Sequence, residues 1–277
     1  MRIGMHVSAA GGIINAVKNA HNKGCEIFQF FDRSPRGGKP TYSDEDIIEF
    51  KKLAKEYNLT EYYIHAPYYI NLASSSNRIR HGSIAILREE LEAGTKLGAK
   101  YMMFHMGSAK DYTEKKAVEL VIKGINEILK NYKGSCQLLI ENSAGAGQIL
   151  GATFEEIATI LKGVKNKNVG VCYDTCHGFA SGYDIRDEKS LKSTFSNFDK
   201  LIGLDKLKLF HLNDSKTEFD SHRDRHANIG EGEIGKKAFE LFVNYSKINK
   251  INAVLETPDV GEEKPWSLEV LLNSKNM

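Results

Sequence analysis

The amino-acid sequence contains no apolar run long enough to cross a membrane, and its first residues, MRIGMHVSAAGG, lack the apolar stretch of a secretion signal. We therefore expect a protein that works in the cytoplasm and does not bind a membrane. There are only four cysteines, and their spacing matches no disulfide framework. Buried free thiols are expected, and a thiolate metal site at Cys172 and Cys176, beside His177, is the alternative.

The chain also lacks a strong net charge, because 38 basic and 36 acidic residues give a formal charge of +2. This balance neither requires nor excludes a nucleic-acid partner, so a DNA-binding surface would need a local basic patch or bound metal ions. No short repeat, low-complexity tract or break in composition divides the sequence. A length of 277 residues with 41% hydrophobic content is typical of a single α/β barrel spanning residues 1–277.

Eight short apolar segments rich in β-formers alternate with amphipathic segments of helical length. The predicted strands are Ile3–Val7, Glu26–Phe31, Tyr62–His65, Tyr101–His105, Gln137–Glu141, Gly170–Asp174, Lys208–Leu212 and Ala253–Glu256. Ser43 and Thr153 are expected to cap the helices that follow them, and the helix after the third strand is predicted from Ser83. Strict alternation predicts a parallel sheet, and eight units of this size predict a closed (β/α)₈ TIM barrel.

Six of the eight predicted strands end in a residue type that binds metals well. These residues are His65, His105, Glu141, Asp174, His211 and Glu256. Successive members lie 33 to 45 residues apart, which is about one strand–helix unit. In a parallel barrel all strand C-termini meet at one mouth, so we expect these side chains to converge there.

Three further residues of the same types lie in loops at that face. His177 comes three residues after Asp174, and Asp224 and His226 lie in the loop after the seventh strand. Nine imidazole and carboxylate groups crowded at one mouth would desolvate and repel one another without cations. The mixture favours zinc, manganese or iron(II) over calcium, and nine ligands are enough for two or three ions. Such a centre suits displacement at phosphorus.

Several long motifs in this sequence resemble those of the endonuclease IV family, the zinc-dependent apurinic/apyrimidinic endonucleases also called AP endonuclease family 2. The matching segments, in the family's order, are HVSAAGG (6–12), YYINL (68–72), FHMGS (104–108), IENSAGAG (140–147), GVCYDTCHGFASGYD (170–184), HLNDSK (211–216), DRHANIGEGEIG (224–235) and LETP (255–258). They span nearly the whole chain, and the two longest are highly specific.

The resemblance implies a deoxyribonuclease IV with three zinc ions. One ion would take His65, His105 and Glu141; a second would share Glu141 and take Asp174, His211 and Glu256; the third would take His177, Asp224 and His226. The implied reaction is hydrolysis on the 5′ side of an abasic site in double-stranded DNA, with the catalytic bridge at Glu141, leaving a 3′-hydroxyl and a 5′-deoxyribose phosphate. Family members also remove 3′-blocking groups. The resemblance therefore implies a cytoplasmic protein associated with the nucleoid.

The loops after the second, third and seventh strands supply candidate DNA contacts. From the resemblance, Tyr68 and Tyr69 would wedge into the duplex and Arg36 would occupy the space in the base stack. Basic residues in the same loops are candidate phosphate contacts, namely Arg33, Lys39, Lys216, Arg223 and Arg225. Two features depart from the family pattern: Tyr69 replaces a smaller apolar wedge, and Gly37–Gly38 follow Arg36 where an aromatic is usual. His6 also ends a strand and is expected to make a supporting hydrogen bond.

Two other functions are compatible with parts of the pattern. Sugar isomerases and epimerases also place His, Asp and Glu at barrel strand ends, with two divalent ions, but His177, Asp224 and His226 would then be surplus. A non-catalytic binder of damaged DNA is the other alternative, and it leaves the intact ligand set unexplained. We expect a monomer, because a bent duplex needs open access to the barrel mouth.

Overall fold

The computed structural model describes residues 1–35 and 37–275, and within them eight parallel strands close into a barrel. The barrel strands are β1 (Ile3–His6), β2 (Phe28–Phe30), β3 (Tyr62–His65), β4 (Tyr101–Phe104), β5 (Gln137–Glu141), β6 (Val169–Asp174), β7 (Leu207–His211) and β10 (Asn252–Leu255). Strands β8 (Asp214–Ser215) and β9 (His226–Ala227) form a separate antiparallel ribbon. The barrel closes because β10 pairs with both β1 and β7, which confirms the predicted TIM barrel.

Helices follow the strands around the outside of the barrel. They are α1 (Ile13–Asn22), α2 (Asp44–Glu56), α3 (Asn77–Leu97), α4 (Glu114–Ile128), α5 (Phe154–Gly163), α6 (Thr175–Ala180), α7 (Glu188–Leu201), α8 (Lys236–Asn244) and α9 (Trp266–Ser274). Short 3₁₀ turns cover Ala146–Gln148, Leu204–Lys206 and Pro258–Gly261. Among the described helices, none is both long and apolar enough to traverse a lipid bilayer.

Two helix starts follow from side-chain capping, as predicted. The Ser43 hydroxyl accepts a hydrogen bond from the backbone N–H of Asp46 at 3.2 Å, and the Thr153 hydroxyl accepts one from that of Glu156 at 3.2 Å. The predicted start of α3 at Ser83 is wrong: the helix begins at Asn77 after a Ser76 cap. The intervening turn is strongly polar, so hydrophobic periodicity could not reveal it.

Side-chain alternation along the strands separates the barrel interior from the layer beneath the helices. On β2, Phe28 and Phe30 face outward and pack on Phe50 of α2, with ring centroids 6.1 and 5.6 Å away. A separate buried cluster fills the interior. Its members are Ile27, Tyr63, Tyr101, Met103, Leu139, Cys172, Leu209 and Val254. This apolar layer forms the floor below the barrel mouth.

The residue two positions after a member of this layer points into the same interior, nearer the C-terminal end. Tyr63, Met103, Leu139, Cys172, Leu209 and Val254 are each followed at that spacing by one of the six predicted strand-end ligands. The strand period therefore places a ring of polar side chains directly on an apolar floor.

Candidate metal centre

The predicted strand-end residues meet at the C-terminal mouth of the barrel in two groups that share one carboxylate. Within each group, the ligand-type atoms all lie within 4.8 Å of one another. The first group is His65, His105 and Glu141, and the second is Glu141, Asp174, His211 and Glu256. These are the same two groups that the family resemblance implies for the first two ions.

Glu141 lies at the centre of the arrangement and is fully buried. Its Oε2 is 3.0 Å from His65 Nε2, and its Oε1 is 2.9 Å from His211 Nδ1. His105 Nε2 and His177 Nδ1 follow at 3.7 and 3.6 Å. Burial opposes the negative charge, but His105 and His211 outweigh it and hold the pKa of Glu141 well below its usual range. The carboxylate is therefore ionised and surrounded by nitrogen ligands.

Backbone carbonyls fix the orientation of three of the histidine rings. The Nδ1 atoms of His65, His177 and His226 each lie within hydrogen-bond distance of a carbonyl oxygen. The three carbonyls belong to Ala66, Asn142 and Glu256, at 2.6, 3.0 and 3.0 Å. A carbonyl can only accept, so each Nδ1 donates and the neutral ring carries its lone pair on Nε2. Second-sphere hydrogen bonds of this kind are usual for metal-binding histidines.

The third predicted set, His177, Asp224 and His226, is less compact than the other two. Asp224 Oδ2 lies 3.2 Å from His177 Nε2, and Oδ1 lies 3.4 Å from His226 Nε2. Ligand-type atoms of His177 and His226 group with Asp174, whereas Asp224 and His226 group with the thiol of Cys176. Both thiols of the alternative thiolate site adjoin predicted ligands, but different ones: Cys176 groups with Asp224 and His226, and the Cys172 side chain is hydrogen-bonded to His211.

Two observations in this region indicate that cations fit the site. His226 Nε2 is buried and has no hydrogen-bond partner among the residues that the structure describes. Burial opposes protonation of His177, but Asp174, Asp224 and Glu141 outweigh it and raise the pKa of His177 to about 10. The ring of His177 thus lies where positive charge is strongly favoured, and Nε2 of His226 is left without a partner among the described residues. Imidazole with carboxylate is a donor set that suits divalent metals. The geometry supports a centre for more than one ion.

Two asparagines that sequence reasoning missed hold Asp174 in place. Asn213 Nδ2 donates to Asp174 Oδ2 at 2.6 Å, and its Oδ1 accepts from the Glu256 backbone N–H at 2.7 Å. Asn142 Oδ1 accepts from the Asp174 backbone N–H at 2.6 Å. Both asparagines lie within two residues of a predicted ligand, in the motifs IEN and HLND. Their position next to strand-end ligands is the sequence feature that could have identified them as supporting residues.

The loop with Asp224 and His226 is organised around the carboxylate of Asp214. This carboxylate accepts backbone hydrogen bonds at 2.8 to 3.2 Å from Ser215, Gly230, Gly232, Ile234 and Gly235. A Cβ at Gly232 would lie 2.4 Å from the Ser215 carbonyl oxygen and 2.5 Å from Asp214 Oδ1, so only glycine fits there. The GEGEIG part of the motif is therefore a scaffold for the DRH part.

The predicted aromatic DNA contacts lie exposed at the mouth. Tyr68 and Tyr69 are 63% and 40% exposed, although large aromatic side chains are usually buried. The ring of Tyr68 lies 5.7 Å from that of His65 and 5.3 Å from that of Phe31. Tyr68 therefore borders the first group of predicted ligands and also reaches solvent.

The predicted basic contacts have different positions. Lys216 and Arg225 are exposed and adjacent, because the Lys216 N–H donates to the Arg225 carbonyl at 2.8 Å across the ribbon. They border the loop of Asp224 and His226. Lys39 and Arg223 are also exposed. Arg36 lies outside the described residues.

The position of Arg33 argues against the predicted phosphate contact. Its side chain is buried, its Nε donates to Glu90, and its NH1 donates to the Gly38 carbonyl at 3.2 Å. A second carboxylate, Glu89, lies 3.3 Å from NH2. The guanidinium is thus occupied inside the protein, where it joins the loop after β2 to α3. Sequence charge alone could not distinguish this arginine from an exposed one.

Removing the charge of Arg33 should destabilise the fold. In the Arg33→Met variant the buried carboxylates of Glu90 and Asp32 lose their cation, which typically costs about 3–5 kcal/mol. Urea unfolding followed by circular dichroism measures the loss. Lys192→Met, which removes an exposed pair with Glu188, is the control and should leave the unfolding midpoint unchanged. Equal midpoints for Arg33→Met and the wild type would contradict the buried-pair interpretation.

Comparison with known proteins identifies the family. The family description "Xylose isomerase-like TIM barrel" matches residues 17–274. A probable endonuclease 4 from Halothermothrix orenii is 39% identical over 98% of this chain and 99% of its own length. A probable endonuclease 4 from Clostridium botulinum is 40% identical over 98% of each. The chain belongs to the endonuclease IV family.

Solved structures agree with this family membership. The crystal structure of endonuclease IV from Thermus thermophilus matches 99% of this chain and 98% of that one, with a TM-score of 0.87 and 32% identity. A D-tagatose 3-epimerase-like protein matches 99% of this chain and 97% of its own with a TM-score of 0.71, but only 19% identity, which shows a shared fold alone. The family and fold predicted from the sequence are confirmed.

Proposed function

We propose that this member of the endonuclease IV family hydrolyses the phosphodiester bond on the 5′ side of an abasic site in double-stranded DNA. The products would be a 3′-hydroxyl and a 5′-deoxyribose phosphate, and blocked 3′ ends would be further substrates. The observation that carries the proposal is the position of Glu141, whose two oxygens face two different groups of candidate ligands. A shared carboxylate of this kind suits a multi-metal centre for displacement at phosphorus.

We propose zinc as the metal, with three ions per chain. Zinc favours imidazole and carboxylate ligands, and catalytic zinc sites keep a coordination position open. The proposed sets are His65, His105 and Glu141; Glu141, Asp174, His211 and Glu256; and His177, Asp224 and His226. When bound, the ions would activate water for attack and neutralise charge that develops on the phosphate oxygens.

The protein's own groups would preorganise this centre. Backbone carbonyls hold His65, His177 and His226 with Nε2 directed towards the carboxylates, so the rings need no rearrangement on metal binding. Asn213 and Asn142 hold Asp174 by its side chain and backbone. The apolar layer below excludes water from one side and strengthens the electrostatic interactions above it.

The mouth would hold the DNA through aromatic and basic side chains. Tyr68 and Tyr69 expose ring faces that can stack on bases, and Lys216 and Arg225 expose positive charge beside Asp224. Arg36 belongs to the same proposal on sequence grounds. We further propose that residues 1–277 form one catalytic domain that acts as a monomer on DNA in the cytoplasm; sedimentation of the protein alone and with a duplex tests the oligomeric state.

Shortening Tyr68 should weaken DNA binding without loss of zinc. A stacked base contributes about 1–3 kcal/mol, so Tyr68→Ala should bind an abasic duplex roughly 5- to 150-fold more weakly. Fluorescence anisotropy measures the affinity, and elemental analysis measures the zinc. Tyr57→Ala, at the end of α2 and at the opposite face of the barrel, is the control. If zinc is lost together with affinity, Tyr68 supports the fold around His65 rather than the substrate.

A nicking assay tests the reaction itself. A duplex with a single abasic site is incubated with the zinc-loaded protein, with a chelator-treated sample, and with the treated sample after zinc is restored. We expect cleavage only when zinc is present, with a 3′-hydroxyl that a polymerase extends. Absence of nicking under every metal condition would leave a non-catalytic binder as the explanation. Epimerisation of ketohexoses with one or two exchangeable ions would instead favour the sugar-enzyme alternative.

A further inference from the structure

Among the described residues of the barrel strands, Gln29 is the one inward-facing amide at the level of the candidate ligands. It follows Ile27 of the apolar floor by two residues, so the strand period directs it to the mouth, and its side chain is fully buried. Its Oε1 lies 2.8 Å from His211 Nε2, and its Nε2 lies 2.7 Å from Glu256 Oε1. One amide therefore spans two members of the second candidate group.

The chemistry of its neighbours fixes which way the amide faces. The ionised carboxylate of Glu256 can only accept hydrogen bonds, so the NH₂ end of Gln29 must face it. The reversed amide would place two oxygens in contact at this point. The same Nε2 also lies 2.9 Å from His6 Nδ1, which can accept its second hydrogen. The carbonyl end of Gln29 is therefore directed at His211.

This orientation determines the tautomer of His211. Because Gln29 Oε1 can only accept, His211 Nε2 must donate, and the neutral ring keeps its lone pair on Nδ1. His211 Nδ1 is the nitrogen that lies 2.9 Å from Glu141 Oε1 and 3.4 Å from Glu256 Oε2. His211 thus differs from His65, His177 and His226, whose Nδ1 atoms are the ones held by the protein.

We propose that Gln29 is a positioning residue for the metal centre. It holds His211 with Nδ1 free and occupies one oxygen of Glu256, so that Nδ1 and Glu256 Oε2 face the same ion. The inference deepens the proposed function and rests on the second of the three proposed zinc sites. It requires no contact between Gln29 and the substrate.

The consequence is a loss of metal affinity confined to one site. Methionine at position 29 matches the length and volume of glutamine but can neither accept from His211 nor donate to Glu256. Loss of such outer-sphere partners typically lowers metal affinity 10- to 100-fold. The side-chain hydrogen bonds of Gln29 go to His6, His211 and Glu256, none of which belongs to the other two sets, so those sites should retain their affinity.

The test is a zinc competition titration with a chromogenic chelator on the wild type and on Gln29→Met. We expect three bound zinc ions in the wild type, and one that is 10- to 100-fold weaker in the variant. Met103→Leu is the control, since it conserves volume in the apolar floor and touches no side-chain hydrogen bond of the described residues. Nitrogen-15 NMR of the zinc-loaded proteins adds a second readout: Nε2 of His211 should keep a slowly exchanging proton in the wild type, and Gln29→Met should lose that protection.

Each outcome separates this inference from the proposed function. Three wild-type zinc ions together with unchanged affinities in Gln29→Met would overturn the role of Gln29 alone. Fewer than three zinc ions in the wild type would overturn the three-ion proposal itself. If Gln29→Met does not fold, Gln29→Leu answers the same question, because leucine also removes both the acceptor for His211 and the donor to Glu256 and should weaken the same ion.

Discussion

Glu141→Gln should lose at least about three powers of ten in turnover on an abasic duplex. The carboxylate of Glu141 is buried between two groups of candidate ligands, and an amide is a neutral, poor bridge between two cations. Metal ions contribute several kcal/mol of charge stabilisation in such reactions, and each 1.4 kcal/mol is worth about tenfold in rate. The substitution changes the volume very little, so the loss should come from the centre rather than from the fold.

Single-turnover nicking of the abasic duplex measures the effect of Glu141→Gln, and thermal unfolding checks the fold. Glu61→Gln is the matched control, because Glu61 is a partly buried carboxylate at the opposite end of the barrel, paired with Lys100 at 2.8 Å. We expect Glu61→Gln to nick at the wild-type rate. Wild-type turnover in Glu141→Gln would refute the bridging role.

Removal of the metal should also remove a large part of the stability. Glu141, Asp174 and His211 are fully buried, so the metal-free protein must keep these ionisable groups close together and away from water. A ligand present at 100 times its dissociation constant adds about 2.7 kcal/mol. Three ions bound in this way would raise the melting temperature by about 15 °C or more for a domain of this size.

Calorimetry of the zinc-loaded and chelator-treated protein measures this difference. We expect the melting temperature to fall on chelation and to recover when zinc is added back. The Asp224→Asn variant, altered in the most exposed of the proposed ligands, should show a smaller zinc-dependent rise than the wild type. Equal melting temperatures with and without zinc would mean that the buried groups do not hold the ions.

Much of this arrangement could be predicted because, in a parallel barrel, residues at the ends of regularly spaced strands all lie at the same face. Glu141 and His211 are about two units apart along the chain, yet the common direction of the strands brings their side chains to 2.9 Å. The strand boundaries differ from prediction by at most two residues. The predicted convergence of the six strand-end residues is confirmed, while their role as metal ligands remains a prediction.

Three features of the structure could not be predicted from the strand period. α1 was not predicted, because the glycine-rich HVSAAGG segment that precedes it carries no side-chain cap. Arg33 was grouped with exposed basic residues, because its partners Glu89 and Glu90 are on α3, far along the chain. Gln29 was overlooked since a single amide in an apolar strand has no distinctive pattern. In each case except α1, the deciding information is a contact between distant segments.

The candidate ligands are spread along the chain from β3 to the residue after β10, so metal binding depends on how far the barrel has folded. The second proposed set includes Glu256, which directly follows β10, so that set is complete only when β10 has paired with β7 and closed the barrel against β1. An ion on the second set therefore binds only a state in which β10 is in place, whereas the first set lies on β3, β4 and β5 alone. The bound ion stabilises the closed barrel, whose strand pairings join distant segments of the chain, and it should lower the rate of unfolding. The lifetime of the folded protein should therefore increase with the concentration of free metal.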